Sequence, residues 1–478
     1  MVWVLIALFV FIFQIATILA LEFRHPAKTV AWLLIMFGLP VIGFVMYYFL
    51  AKDYRRRRHY RQNGNLSADA DMLNALQRCK HASRSEDVNG RRSFVGQERF
   101  FRMLQRQAES PITCQNETEV LTNGEATYDS IFRAIGEARH HVHVEFYTIR
   151  DDGAGRRLKE ALLQKAREGV KVRVIVDGIG SVELSKSYVQ ELKQAGVDVQ
   201  CFLQPRIAFF EKRMNFRNHR KIVVVDGLIG FVGGINIGDE YLGGNPKLGF
   251  WRDTHLRLEG DAVYYLQQVF MQDWWYTAKE KLNGAAYWPE HRCTGGERVQ
   301  IVHSGPGGGK EDAILEVVYA AVAAAQTRIY IETPYFIPDT GLAAALRTAA
   351  LSGVDVRIII PFVPDTKLVL GATLSYAEDM LAAGVRVFRY RKGFMHAKTM
   401  IVDRLMASVG SANMDMRSFH SNFEINALLF DEKGIERLEA DFMKDMEDSS
   451  EVMLAQFRKR PLRQKAGEAV ARMLSPLL

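Results

Sequence analysis

Cysteine is scarce in this sequence, and its spacing argues against two kinds of site. The 478-residue chain has four cysteines, all far apart and without a Cys-x-x-Cys pair: Cys79, Cys114, Cys201 and Cys293. This spacing disfavours a disulfide framework and a cysteine-based zinc site. We therefore expect the four cysteines to be reduced and structural.

The sequence also lacks any long tract rich in proline, glycine or serine, so it predicts no large disordered region. Hydrophobic residues make up 48% of the chain and charged residues 24%, which indicates that most of it is globular. Its length suffices for two ordinary domains with additional segments. The formal net charge of +7 favours an anionic partner, either nucleic acid or anionic lipid.

Charged side chains are absent from two stretches near the N-terminus, residues 2–21 and 29–50. Each stretch approaches the roughly 20 residues that a helix needs to cross a bilayer. A short polar turn separates them, and the pattern therefore predicts a transmembrane helical hairpin that tolerates Gly38, Pro40 and Gly43 in its second helix. A cleaved signal peptide is disfavoured, because no charged segment precedes the first stretch and no clean cleavage site follows it.

The distribution of positive charge predicts the orientation of this hairpin. Its turn carries two basic residues, Arg24 and Lys28, whereas the segment after it carries six. These six are Lys52, Arg55, Arg56, Arg57, Arg58 and Arg61. The positive-inside rule then assigns that segment, and the large C-terminal part of the chain, to the cytoplasm. The basic run at residues 55–58 either contacts anionic headgroups or serves only as a topology signal.

An internal repeat occupies the chain after residue 118, where strand-like apolar runs alternate with helical patterns and predict an α/β fold. The pattern His-x-Lys-x4-Asp-x6-Gly-Gly/Ser-x-Asn occurs there twice, each time at the close of a repeated α/β unit. The first copy supplies His219, Lys221, Asp226 and Asn236, and the second supplies His396, Lys398, Asp403 and Asn413. Two copies in register are a far more specific signal than one.

The spacing within each copy predicts which side chains point together. Side chains alternate along a strand, so the histidine and lysine lie on one face and the following aspartate on the opposite face. Asp226 and Asp403 complete the motif, but we expect them to pair with a basic group or to cap a turn. If a pseudo-two-fold axis relates the units, both His/Lys pairs meet at one cleft, and the asparagines return to it from the next strand.

Such a cleft suits a phosphodiester substrate. Two ammonium groups and two amides can hold the non-bridging oxygens and stabilise a pentacovalent transition state. One imidazole can attack phosphorus, while the other protonates the departing alkoxide and then deprotonates the incoming alcohol. The sequence has no convincing carboxylate cluster for Mg²⁺, so we predict a reaction without metal ion or cofactor.

A nucleophilic imidazole needs an acidic partner that fixes its tautomer. Two acids occupy comparable positions downstream of the motifs, Asp253 in a Trp-Arg-Asp-Thr run and Glu424 in an Asn-Phe-Glu-Ile run. We assign them as the residues that orient the two histidines. The alternative is that each is an ordinary acid at a surface or at a strand end.

The duplicated motif resembles the HKD motif that defines the phospholipase D superfamily, and the likeness covers roughly residues 118–430. Within that superfamily, the chain is similar to cardiolipin synthases in its hairpin, in three internal segments and in its C-terminal SPLL. The segments are residues 233–242 (GGINIGDEYL), 251–255 (WRDTH) and 413–419 (NMDMRSF). One departure is Gly234, where many superfamily members carry serine. The resemblance implies one active site with His219 as nucleophile and His396 as general acid and base.

The architecture implied by this resemblance is an N-terminal transmembrane helical hairpin followed by two pseudo-symmetric phospholipase D-like α/β/α units packed together. We expect residues 1–50 to be the two transmembrane helices and 51–117 a basic juxtamembrane and connecting segment. Residues 118–290 and 291–450 are the two repeats, and 451–478 form a basic amphipathic tail. The tail either lies on the membrane as an interfacial helix or packs on the domain.

The implied reaction joins two phosphatidylglycerol molecules into cardiolipin and glycerol, with phosphatidylethanolamine as an alternative donor. The expected partners are the membrane and anionic phospholipids rather than nucleic acid. Interleaved aromatic and basic residues at 206–217 suit a bilayer surface, and a partly buried hairpin is the alternative for this segment. The expected location is the bacterial cytoplasmic membrane, with the catalytic units in the cytoplasm. A phospholipid hydrolase, a membrane-tethered nuclease and a non-enzymatic scaffold remain as alternatives, and the oligomeric state is not indicated.

Overall fold

The computed structural model describes residues 2–22, 26–50, 71, 74–75, 77, 97–107, 110–203, 216–291, 295–306 and 312–475. Several features predicted from the sequence therefore lie outside the described residues. They are the basic segment after the hairpin, most of the segment 206–217, Cys79 and Cys293, and the last three residues of the C-terminal SPLL.

Three helices form the N-terminal region: α1 (Val2–Glu22), α2 (Pro26–Gly38) and α3 (Pro40–Leu50). The expectation of one continuous helix over the second apolar stretch is wrong. Pro40 has no backbone N–H to donate and disfavours the helical conformation at Leu39, so the stretch is divided there. Within the described ranges, no helix combines the length and the apolarity of a membrane span.

The helix α4 (Glu98–Gln107) precedes the first repeat. In chain order, the elements of the first repeat are β1 (Thr113–Thr122), α5 (Asn123–Glu137), β2 (His141–Phe146), α6 (Gly153–Arg167), β3 (Lys171–Asp177), α7 (Lys186–Gln194), β4 (Asp198–Phe202), β5 (Arg217–Asn218), β6 (Lys221–Val225), β7 (Ile229–Gly233), β8 (Phe250–Arg252), β9 (Thr254–Gly260) and α8 (Asp261–Ala278). Short 3-10 turns occur at Asp239–Leu242 and Ala285–Tyr287.

The second repeat follows the same plan. Its elements, with those of the tail, are β10 (Glu297–Ser304), α9 (Ala313–Ala324), β11 (Arg328–Glu332), β12 (Phe336–Ile337), α10 (Thr340–Leu351), β13 (Asp355–Pro361), α11 (Lys367–Ala382), β14 (Arg386–Tyr390), β15 (Gly393–Met395), β16 (Thr399–Val402), β17 (Met406–Gly410), β18 (Met414–Asp415), α12 (Met416–His420), β19 (Asn422–Leu429), α13 (Glu432–Glu447), β20 (Ser449–Glu451), α14 (Leu454–Phe457) and α15 (Leu462–Leu474). Gly169 and Gly353, at φ +85° and +95°, end α6 and α10 in the left-handed conformation before β3 and β13.

Sixteen of the described strands form one sheet that runs through both repeats. Its order is β20-β14-β13-β11-β16-β17-β19-β10-β1-β9-β7-β6-β2-β3-β4, and β5 pairs with β19 outside this path. Each half has a parallel trio, β2-β3-β4 or β11-β13-β14, and antiparallel strands towards the central β1–β10 pair. The predicted α/β fold is therefore confirmed, and the two units share a continuous sheet.

The motif strands are buried at the junction of the repeats. β6 reads KIVVV and is buried along its whole length, which is the pattern of a strand covered on both faces. Ile222 on β6, Ile401 on β16 and Ile425 on β19 belong to one hydrophobic cluster to which both repeats contribute. Burial of apolar side chains between the units holds the two motif strands in a fixed relationship.

The C-terminal tail packs on the second repeat. Arg472 on α15 binds the carboxylate of Asp379 on α11 at 3.0 Å, and the hydroxyls of Ser475 and Tyr376 lie 3.1 Å apart. Of the two alternatives for the tail, packing on the domain is therefore the observed one. α15 nevertheless leaves large apolar side chains exposed, among them Leu462, at 83% of its full exposure.

Candidate active site

The two motif strands meet through a crossed pair of strand contacts. β5 precedes His219 and pairs in parallel with the start of β19, the strand that carries Glu424. β15 precedes His396 and pairs in parallel with β8, the strand that ends before Asp253. Each histidine N–H donates to the carbonyl oxygen of the residue before the opposite acid, over 3.0 Å for His219 and 2.7 Å for His396. The backbone therefore sets each histidine beside the acid of the other repeat.

The side chains form two crossed histidine–carboxylate pairs. Nδ1 of His219 lies 3.0 Å from both carboxylate oxygens of Glu424. Nδ1 of His396 lies 2.6 Å from Oδ2 of Asp253. Both acids are fully buried, whereas each histidine side chain keeps about a tenth of its surface accessible, 12% for His219 and 11% for His396. A carboxylate at Nδ1 fixes the tautomer that leaves the Nε2 lone pair free.

Further contacts hold the two carboxylates in position. Glu424 accepts hydrogen bonds from the Asn422 side chain at 3.0 Å and from the Ser411 hydroxyl. Asp253 accepts the backbone N–H of Thr254 at 2.8 Å. Burial alone raises the pKa of each acid, but the adjacent histidine and lysine outweigh it, and the pKa of each falls below its ordinary value. Both acids are therefore ionised at neutral pH.

The two motif lysines are almost completely buried beside the histidines. Lys221 Nζ donates to the carbonyl oxygen of His219 at 2.6 Å, and Lys398 Nζ donates to that of His396 at 2.6 Å. Burial lowers the pKa of Lys221 to about 7 and that of Lys398 to about 8, although the nearby carboxylates oppose this shift. A bound phosphodiester would favour the charged form of both lysines.

In the free enzyme, burial also favours the neutral form of the two imidazoles. It lowers the pKa of His219 to about 4, against the opposing effect of Glu424. It lowers the pKa of His396 to about 3, with Lys398 acting in the same direction. A neutral imidazole with its Nδ1 proton directed at a carboxylate is a nucleophile or a general base at Nε2.

Aromatic residues surround the histidines, although neither sequence motif includes them. The ring of Tyr147 contacts His219 with centroids 5.0 Å apart. Trp251 and Phe394 contact His396 at 4.9 Å and 5.8 Å. A usable signal was present, because Trp251 and Phe394 each stand two residues before a site residue, and Tyr147 follows the repeated strand β2.

The two motif aspartates do not join this cluster, although the motif places them among the candidate catalytic residues. Asp226 accepts the backbone N–H groups of residues 139–141, and Asp403 accepts those of residues 326–328. Both adopt positive φ, 55° and 49°, just beyond the ends of β6 and β16. Asp226 stands five positions after Lys221 along an extended strand, which is about 16 Å. Their observed contacts are those of the turn-capping role.

The two motif asparagines are buried near the cluster but differ in their contacts. The amide of Asn236 donates to the Tyr241 hydroxyl at 3.0 Å and accepts the Thr148 N–H at 3.2 Å. The Tyr241 ring in turn lies 6.4 Å from the His396 ring. The side-chain oxygen of Asn413 is buried and, among the described residues, has no hydrogen-bond partner.

Gly234, the departure from the family pattern, lies against Asp253. A Cβ atom added to Gly234 would overlap the Asp253 carboxylate. At the equivalent position of the second copy, the Ser411 hydroxyl donates to the longer Glu424 side chain. In the first copy, the shorter aspartate therefore occupies the space that a serine side chain would need.

Comparison with known proteins identifies the family. A family model described as cardiolipin synthase, PLD-like domain, matches residues 131–274 and 318–446. The chain is 44% identical to cardiolipin synthase 2 of Bacillus anthracis over 98% of this chain and 90% of that protein. It is 43% identical to the cardiolipin synthase of Geobacillus kaustophilus over 97% of this chain and 91% of that protein.

Solved structures agree on the fold. Phosphatidylserine synthase of Haemophilus influenzae matches 80% of this chain and 100% of its own length, with a TM-score of 0.58 and 14% identity. At that identity the likeness concerns the fold alone. The family model and the near full-length sequence relatives establish that the chain belongs to the cardiolipin synthase family and is a phosphatidyltransferase with a phospholipase D-like fold.

Proposed function

We propose that this enzyme joins two phosphatidylglycerol molecules into cardiolipin and glycerol through a covalent phosphatidyl-histidine intermediate. The observation that carries the proposal is the crossed pair of histidine–carboxylate contacts, His219 with Glu424 and His396 with Asp253. A buried lysine lies beside each histidine. Two histidines that each have a carboxylate at Nδ1 suit a reaction in which one phosphodiester is exchanged for another. Such an exchange needs no nucleotide.

In the first step, Nε2 of His219 attacks the phosphorus of the donor lipid. An N–P bond forms and the bond from phosphorus to the glycerol headgroup oxygen breaks. His396, protonated at Nε2 in the complex with the anionic donor, gives that proton to the departing glycerol oxygen and becomes neutral. Glu424 accepts the Nδ1–H of His219 and stabilises the positive charge that develops on the ring. His219 takes the nucleophile role by analogy with the first-copy histidine of the superfamily.

In the second step, the roles of the groups reverse. His396, which is neutral after the first step, removes a proton from a headgroup hydroxyl of the second phosphatidylglycerol. The resulting oxygen attacks phosphorus, the N–P bond breaks, and the electron pair returns to Nε2 of His219. The products are cardiolipin and the free enzyme, so the sum of the steps balances without hydrolysis.

Lys221 and Lys398 supply the charge that stabilises the transition state. Their ammonium groups lie within hydrogen-bond reach of the histidine backbones and close to both carboxylates. Preorganised cations in a buried cleft stabilise the equatorial oxygens strongly, because water does not screen them. We propose that they act in place of the metal ions used by many phosphoryl-transfer enzymes, with Asn236 and Asn413 as further polar groups of the site.

We also propose that residues 1–50 attach the enzyme to the bacterial cytoplasmic membrane as a hairpin, with the two repeats in the cytoplasm. Large apolar side chains of this region are exposed, among them Trp3 at 82% and Val41 at 75%. Exposed apolar surface of this kind is typical of a lipid contact. If the hairpin spans the membrane, the protein stays in the pellet after alkaline carbonate extraction; release by high salt would contradict it.

The test of the proposed reaction uses detergent-purified full-length protein with phosphatidylglycerol vesicles and EDTA, with lipids analysed by mass spectrometry. We expect cardiolipin and glycerol from the native enzyme, and neither from His219→Ala or His396→Ala. Phosphatidic acid as the only product would instead identify a hydrolase. Activity that disappears with EDTA and returns with a divalent cation would contradict the metal-independent mechanism.

A further inference from the structure

The two histidines of the site have unlike surroundings, although the fold around them is repeated. Phe394 stands two residues before His396, and at the equivalent position before His219 stands Arg217. Arg417 stands four residues after Asn413, and at the equivalent position after Asn236 stands Glu240, which pairs with Arg150 at 3.5 Å. The His219 side is therefore cationic, and the His396 side is aromatic.

Tyr147 connects the cationic side to the reaction centre. Its ring contacts the His219 ring at 5.0 Å, and Lys221 Nζ lies 5.6 Å from the same ring. Burial raises the pKa of the Tyr147 hydroxyl, and the positive side chains of Arg217 and Arg417 oppose this shift, so both arginines act on the hydroxyl. The phenol ring thus spans the distance from the proposed nucleophile to the two arginines.

The backbone brings the two arginines together. The Cα of Arg217 on β5 is paired with that of Asn422 on β19, and α12, which carries Arg417, ends just before Asn422. Both side chains are half-buried and thus partly open to a ligand. Burial lowers the pKa of Arg217, and the positive charge of Arg417 lowers it further, so the two guanidinium groups repel each other.

The nearby acids are held mainly by other groups. Both oxygens of Asp177 accept backbone N–H groups, from Ile179 and Gly180 at 2.9 Å and from Asn218 at 2.9 Å. Asp415 accepts the Ser418 N–H at 2.6 Å as the cap of α12. An anion between the two arginines would relieve their repulsion, and planar guanidinium groups are well suited to phosphate oxygens.

We propose that Arg217, Arg417 and the Tyr147 hydroxyl bind the phosphodiester of the acceptor phosphatidylglycerol in the second step. This assignment rests on the proposed function. The acceptor differs from glycerol, water or a simple alcohol in carrying an anionic phosphodiester one headgroup length from its attacking hydroxyl. A cationic subsite one tyrosine ring away from His219 holds that phosphodiester while the hydroxyl reaches the phosphorus on the histidine.

The chemistry of the second step then depends on these residues only when the acceptor is a lipid. In both cases His396 removes the hydroxyl proton, the new O–P bond forms, and the N–P bond to His219 breaks. With ethanol as acceptor, the product is phosphatidylethanol and the arginines contact no acceptor phosphate. The ratio of cardiolipin to phosphatidylethanol therefore reports on the subsite separately from the catalytic groups.

The experiment compares native protein with Arg217→Gln and Arg417→Gln on phosphatidylglycerol vesicles that contain ethanol. Loss of a charge-assisted hydrogen bond should lower the cardiolipin-to-phosphatidylethanol ratio about 10-fold to 100-fold, while phosphatidylethanol formation stays within about twofold. Arg417→Lys, which keeps the charge, should recover part of the ratio. Arg404→Gln is the matched control, because Arg404 is an exposed arginine that pairs with Glu436 on α13.

Three outcomes would overturn the assignment. A parallel loss of both products would mean that the arginines bind the donor or support the fold. An unchanged ratio in both variants would exclude them from acceptor binding. Native protein that forms phosphatidylethanol but no cardiolipin would overturn the proposed function itself. This result can be told apart from a failure of the arginine assignment, because it is seen in native protein without any variant.

Discussion

His219 and Glu424 lie on different repeats, yet Nδ1 of the histidine is 3.0 Å from both carboxylate oxygens. The reverse contact, between His396 and Asp253, is 2.6 Å. Each repeat therefore lacks the acid for its own histidine and obtains it from the other. A duplicated fold becomes one active site because the two copies exchange acids, and loss of either acid removes a contact across the junction.

The first prediction concerns this exchange. Glu424→Gln keeps the shape of the side chain but removes the charge that stabilises a protonated His219. Cardiolipin formation should fall by about 10²-fold to 10⁴-fold, as for neutralised acids of other histidine–carboxylate pairs. Initial rates on phosphatidylglycerol vesicles measure the effect, and an unchanged melting temperature controls for folding. A native rate in this variant would exclude Glu424 as the partner of the nucleophile.

The second prediction concerns Gly234. Gly234→Ser restores the residue common in the superfamily, but its Cβ would overlap the Asp253 carboxylate and displace it from His396. We expect at least a tenfold loss of activity from this substitution. The control is Ser411→Gly, which removes the hydrogen bond to Glu424 and the one accepted from the Ile425 N–H, at about 1 kcal/mol each, without displacing either carboxylate. Equal activity of Gly234→Ser and native protein would mean that Asp253 has room to move without consequence.

Much of the site was accessible from the sequence because its spacing is local. His219 and Lys221 are two residues apart on a strand, so alternation alone predicts that they point together, and both lie at the observed cluster. Asp253 and Glu424 were identified as acids in strand-like runs. Their crossed assignment was not predicted, because it depends on the pairing of β5 with β19 and of β8 with β15, which are far apart in sequence.

Other features of the site and of the N-terminal helices also depend on contacts between residues that are distant in sequence or on the local effect of a single residue. Tyr147 follows β2, and Arg217 stands two residues before His219, so both lie next to predicted elements of the site. Their contacts depend on tertiary packing, which this local spacing does not specify. The tolerance of proline in membrane helices predicts one continuous helix over the second apolar stretch, but the missing N–H of Pro40 divides it. Gly234 was recognised as unusual, but its reason became visible only with Asp253 beside it.

The third prediction concerns the dependence of kcat/KM on pH. Protonation of His219, whose pKa burial lowers to about 4, removes the nucleophile on the acid side. On the alkaline side, deprotonation of His396, whose pKa burial lowers to about 3, removes the general acid. Deprotonation of Lys221 and Lys398, whose pKa values burial lowers to about 7 and about 8, then removes transition-state stabilisation. The profile should be bell-shaped, because kcat/KM reports the ionisation of the free enzyme. Lys221→Arg should shift its alkaline limb upwards; an identical limb would contradict the assignment.

The last prediction concerns the stability that depends on a second buried cluster, formed by Glu332, Arg252 and Asp445. Glu332 accepts the Thr399 hydroxyl at 2.5 Å and lies beside Asp445 and Arg252. Burial, with Asp445 acting in the same direction, raises the pKa of Glu332 from 4.5 to about 8. The folded protein therefore keeps a proton on Glu332 that the unfolded chain releases above about pH 4.5. Below that pH, both states hold the proton, and the contribution of Glu332 to the free energy of unfolding is at its full value.

As pH rises from 5 to 8, Glu332 should lower the free energy of unfolding by about 1.4 kcal/mol per pH unit. Glu332→Gln cannot ionise, so its melting temperature should fall less steeply over this window than that of native protein. The matched control is Glu451→Gln, because Arg386 lowers the pKa of Glu451 and that group stays ionised throughout the window. Equal slopes for native protein and Glu332→Gln would mean that Glu332 is already ionised in the folded state at pH 5.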